Sequence, residues 1–89
     1  MIKLEIEDFI YEIKEEMLCY ADLGQERADE WEKKFRAWLN GEGKKENVTK
    51  NGEKLMYNVQ DESEIFDIAD EYLDAIENNR EDDYWKKFQ

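Results

Sequence analysis

Residues 50–78 read KNGEKLMYNVQDESEIFDIADEYLDAIEN, and the fold turns on how this stretch is divided. Lys50-Asn51-Gly52-Glu53 presents the Asn-Gly pair that a type I′ hairpin turn favours. Beyond it, Leu55, Tyr57 and Val59 alternate with Met56 and Asn58, the period of a strand with one buried side. The opposite arm, Asn47 to Lys50, offers only Val48, so a hairpin is predicted over about 46–59. A two-stranded ribbon is marginal alone, and its apolar side is expected to lie on helices. Asp61-Glu62-Ser63-Glu64 then supplies capping oxygens and first-turn acids, which pair with free amides and the positive end of a helix dipole. A helix over about 62–78 follows, with Ile65, Phe66, Ile68, Ala69, Tyr72, Leu73 and Ile76 as its apolar set.

Upstream, Ile6, Phe9, Ile10, Ile13, Met17 and Tyr20 recur at helical spacing and predict a helix over about 4–22. Gly24 offers a left-handed stop, and Ala28, Trp31, Phe35, Trp38 and Leu39 mark a second helix over about 25–40. Downstream, a short helical turn in the aromatic tail, 81–89, gathers Tyr84, Trp85 and Phe88. The fold class is therefore an α-rich α+β single domain, 1–89. It has three main helices, one hairpin between the second and third, and a short C-terminal turn. Ile13, Met17, Trp31, Phe35, Leu55, Tyr57, Ile68 and Tyr72 are expected to share its core.

A chain of 89 residues has a modest core, but 13% aromatic content gives it large side chains to bury. That content also separates it from disordered chains of similar charge, which are poor in aromatics. No apolar run approaches a membrane span, and acids at Glu5 and Glu7 interrupt any signal-like segment, so a cytoplasmic protein is expected. With no His and a single Cys, no metal ligand set of the usual kind is present, and no cofactor is expected. Cys19 sits among Glu12, Glu15 and Glu16, neighbours that blunt a thiol's reactivity. No phosphate loop and no Ser-His or Cys-His pair occurs, and acids on convex helix faces do not make a sugar cleft, so the chain reads as non-catalytic.

Charge is the main functional signal. Residues 1–60 carry 14 acids and 10 bases, whereas residues 61–89 carry 11 acids and 3 bases, within a total of −12. At about 100° per residue, Asp67, Asp70, Glu71, Asp74 and Glu77 fill the side of the third helix opposite its apolar set. Glu81, Asp82 and Asp83 continue the run. A solvated face is the plain reading, yet such faces usually mix signs, because like charges at i, i+4 cost a few tenths of a kcal/mol. Carboxylates about 5–6 Å apart resemble the spacing of phosphates along a strand and suit a basic groove built for nucleic acid. A divalent site is disfavoured, since carboxylates on a straight helix diverge where Ca²⁺ needs converging oxygens.

Two apolar features add candidate anchors. Leu4, Tyr11 and Leu18, seven residues apart, form a narrow line off the main stripe of the first helix, a seam for a partner or a homodimer unless the hairpin or tail covers it. Tyr84 and Trp85, with Phe88, either clamp the core or anchor an interface. The element order is similar to a winged helix-turn-helix, but a third helix without a base cannot approach phosphates, so direct nucleic-acid binding is not expected.

In its shortness, single cysteine, lack of proline and one-sided acidic run from Asp61 to Asp83, the chain resembles small acidic phage-encoded inhibitors, among them anti-restriction and anti-CRISPR proteins. The resemblance lies in composition and charge pattern and brings no site residue with it. It implies a protein that blocks a nucleic-acid-binding enzyme of the host by presenting carboxylates in place of phosphates. The alternative is a structural or adaptor module that assembles through apolar helix faces, its acidity serving solubility.

Overall fold

The computed structural model describes residues 1–20, 23–41 and 46–88. Among these residues the elements run β1 (Ile2–Glu5), α1 (Ile6–Cys19), α2 (Gly24–Asn40), β2 (Val48–Asn51), β3 (Lys54–Val59), α3 (Glu62–Glu77) and α4 (Glu81–Phe88). This is the helix-rich α+β class that the sequence predicts, with one strand more. Periodicity alone places the first helix over about 4–22. Instead Ile2–Glu5 pairs antiparallel with β3, α1 begins at Ile6 and ends at Cys19, and residues 21 and 22 lie outside the described residues. The sheet order is β1-β3-β2, so β3 is central and the hairpin gains a second ladder. The register explains the preference: Ile2 lies opposite Val59 and Leu4 opposite Tyr57, which continues the apolar side of β3 across the sheet.

The hairpin lies where expected but turns one residue later. Asn51 pairs with Lys54, leaving Gly52-Glu53 as the two-residue loop. Gly52 takes a φ of +67° while Glu53 does not enter the left-handed region, the signature of a type II′ turn. Gly24 is left-handed, as predicted, with φ +82°. Asp61 caps α3 by accepting from the Ser63 amide at 2.9 Å, and Glu64 Oε2 accepts from the Gln60 amide at 2.6 Å. The far end of α3 closes in a Schellman motif, with Asn79 at φ +54° and the Arg80 amide donating to the Ala75 carbonyl at 2.7 Å. That reversal folds α4 back onto α3.

The core is aromatic and draws on every layer. Phe9 of α1 stacks on Tyr57 of β3 at 3.9 Å, and Trp31 stacks on Phe35 within α2 at 5.0 Å. Trp31 Nε1 donates to the Tyr84 hydroxyl at 3.0 Å, and that hydroxyl donates to the Ile68 carbonyl at 3.1 Å. Tyr84 and Trp85 are thus part of the packing: Tyr84 is buried, and Trp85 packs against the core with its ring 5.1 Å from that of Tyr84. The Phe88 side chain lies outside the described residues. Two apolar residues depart from expectation. Leu55, predicted in the core, is 45% exposed because it pairs with Lys50 near the hairpin tip. Phe66 is 42% exposed because it sits off the side of α3 defined by Ile65, Ile68, Ala69, Tyr72 and Ala75. No helix among the described residues is long and apolar enough to cross a membrane.

Candidate acidic interface

The cap at Asp61 and the apolar side of α3 fix which way its acids point. With Ile65, Ile68, Ala69, Tyr72 and Ala75 buried, Asp67, Asp70, Glu71, Asp74 and Glu77 are all exposed. None of the five forms an ion pair among the described residues; Asp74 Oδ1 accepts only from Asn78 Nδ2, at 3.0 Å. Several bases are engaged elsewhere. Lys14 bridges Asp29 and Glu32, each at 2.8 Å, and Arg36 holds Glu7 through both terminal nitrogens, at 3.0 and 2.8 Å, and Glu32 through Nε at 2.9 Å. Hydrogen bonds from Arg36 hold Glu7 below the usual carboxylate range, and those from Lys14 do the same for Asp29 and, with Arg36, for Glu32.

The structure removes Glu81 from the predicted binding set. Its carboxylate is paired with Lys34 of α2 and accepts from the Tyr72 hydroxyl at 3.2 Å, so it fastens α4 to the body. Asp82 and Asp83 remain exposed in the first turn of α4, without ion pairs among the described residues. The apolar line also breaks. Leu4 belongs to β1 and packs against the core, while Tyr11 and Leu18 stay on α1 at 61% and 38% exposure. Tyr11 donates to Glu15 at 2.9 Å. Tyr84 and Trp85 are taken up by the core and are not free anchors.

The sequence places Glu12, Glu15 and Glu16 on the polar side of α1 but does not join them to α3. The structure does. Glu16 has one carboxylate oxygen buried with no hydrogen-bond partner, and its pKa is raised by burial and by Glu12, Asp70 and Glu15. The Asp70 influence places one acid of α3 within electrostatic reach of Glu16 on α1. That proximity depends on how α1 and α3 pack, so the helical spacing of Glu12, Glu15 and Glu16 is the only signal of it in the sequence. Among the described residues no group of three or more His, Cys, Asp or Glu side chains is disposed to hold a metal ion. Compared with protein-family models, curated proteins and solved structures, the chain matches none.

Proposed function

We propose that the protein is a non-catalytic inhibitor whose α3 face, Asp67, Asp70, Glu71, Asp74 and Glu77, occupies a Lys- and Arg-rich groove on a nucleic-acid-binding protein and competes with DNA or RNA. Asp82 and Asp83 extend the face. The observation that carries this reading is the segregation of charge: α3 keeps exposed acids without ion pairs among the described residues, while Lys14, Arg36 and Lys54 pair elsewhere. Opposite fields speed encounter by tens of fold or more at low salt, and apolar contacts then slow release. The small, acidic, phage-inhibitor type is the origin this reading favours.

The test is a pull-down from bacterial lysate at low and high salt, followed by Asp70→Lys with Asp74→Lys in a variant shown to fold by circular dichroism. Affinity for the captured partner should fall by at least about tenfold and its salt dependence should flatten, because two attractive contacts become repulsive. A partner that binds equally well with its nucleic acid in place sinks the decoy mechanism. The adaptor reading rests on a separate observation, the exposure of Tyr11, Leu18 and Phe66. An assembly held by those side chains keeps its affinity as salt rises, whereas a charge-driven complex weakens steeply as screening shortens to about 8 Å and below.

A further inference from the structure

The acids of α3 do not all stand on a convex surface. A groove of about 360 Å³ runs between α3 and α4, walled by Glu71, Asp74 and Asp83 and floored by Ala75 and Tyr84. A second, of about 270 Å³, continues it toward the hairpin past Glu64, Asp67 and Ile68, and the two share Glu71 and Tyr84. Asp70 and Glu77 lie outside both. Arg80 and Lys86 line the α4 end beside Asp74 and Asp83 and nearly balance them, so the channel's negative charge is concentrated at the hairpin end, where Glu64, Asp67 and Glu71 meet no base in the lining.

We propose that this channel receives an extended segment of the partner with Lys or Arg at every second position, an inference that rests on the acidic-face reading and specifies what enters it. The spacing supports it. Asp67 and Glu71 are one turn apart, a rise of about 6 Å, and alternate side chains of an extended chain on the same side are about 6.6 Å apart. Two successive cationic heads then meet Asp67 and Glu71, and the aliphatic stems lie along the apolar floor at Ile68 and Ala75. Burial pushes the pKa of the Tyr57 hydroxyl up to about 12 and raises that of Tyr84 as well, so neither adds a negative charge there near neutrality. A second copy of this chain does not fit the channel, because its net charge of −12 opposes entry.

Two blocked octapeptides of equal charge test the channel by calorimetry: one alternates Arg and Ala, the other repeats Arg-Arg-Ala-Ala. The alternating peptide should bind at least about fivefold more tightly, and should shift the amide resonances of Ile68 and Tyr84, because only its heads match the Asp67–Glu71 rise. Glu71→Gln with Asp83→Asn should weaken it by at least about tenfold, while Glu26→Gln with Glu53→Gln, the same change in charge elsewhere, should cost no more than about twofold. Equal affinity for the two peptides, equal loss in the two variants, or no binding overturns the channel. The α3 decoy reading survives that result if Asp70→Lys with Asp74→Lys still releases the captured partner.

Discussion

The two central helices of this protein use acids in opposite ways. α2 carries four acids and four bases, and Asp29, Glu30 and Glu32 all pair with cations, several of them on other turns or on α1. α3 carries seven acids and no base, and its exposed acids form no ion pair among the described residues. Both helices bury their apolar sides against the same aromatic core. The contrast separates two roles for a carboxylate: on α2 it fastens one helix to another, and on α3 it is held outward at a cost to the helix that carries it.

The largest expected effect removes what the two helices share. Trp31 is fully buried, stacks on Phe35 and donates to Tyr84, so Trp31→Ala should cost about 3–5 kcal/mol in urea denaturation, a large fraction of a small domain's stability. An unchanged midpoint breaks the core assignment and with it the common footing of α2 and α3.

Arg36→Glu tests the α2 side directly. It replaces attraction to Glu7 and Glu32 by repulsion, and a loss of about 1–2 kcal/mol is expected once solvent screening of these half-exposed groups is allowed for. The α3 side should answer with the opposite sign. Asp70→Asn relieves repulsion with Asp67, Asp74 and, across the helices, Glu16, and should raise stability by about 0.3–0.5 kcal/mol. If both substitutions destabilise, the acids of α3 are not a stored liability.

The pH profile sharpens the same difference. Glu7, Asp29, Glu32 and Glu81 have pKa values lowered in the fold, so the stability they contribute is present above their unfolded values of about 4 and is lost as pH falls through the folded ones. At Glu81 burial pushes upward, and the hydrogen bond and charge of Lys34, with the Tyr72 hydroxyl, outweigh it. Glu16 is raised above the usual glutamate range, so the folded state binds that proton more tightly and gains stability as pH falls through the raised value. Stability measured by urea denaturation should therefore rise as pH falls from neutrality through the raised Glu16 value, and fall once pH drops below about 4. The smallest effect is salt. Moderate salt should raise the melting temperature by a few degrees through screening on α3, and a fall means that the paired acids of α2 dominate.

Local chemistry makes most elements legible in the sequence. Apolar spacing locates α1, α2 and α3, the Asn51-Gly52 pair locates the hairpin, and Asp61 marks a cap that the fold realises as a bond from the Ser63 amide. Local chemistry fails where a residue's partner lies far away in the chain. Leu4 falls within the predicted helix of about 4–22 and Ile2 just ahead of it, although Ile2, Leu4 and Ile6 alternate as a strand does, and the open edge of β3 gives this backbone a ladder and these side chains Val59 and Tyr57 as neighbours. Leu4 thereby leaves the line it shares in sequence with Tyr11 and Leu18.

The candidate face divides the same way. That Asp67, Asp70, Glu71, Asp74 and Glu77 share one side of a helix follows from 3.6-residue geometry alone, and the sequence by itself determined it. Whether each carboxylate is spent within the fold was decided by tertiary contacts. Glu81 continues the same acidic run yet is claimed by Lys34 and Tyr72, while Glu16, on a different helix, comes within electrostatic reach of Asp70. An ion pair needs opposite charges within about 4 Å, and for side chains forty-seven residues apart only the packing of α4 on α2 brings them there.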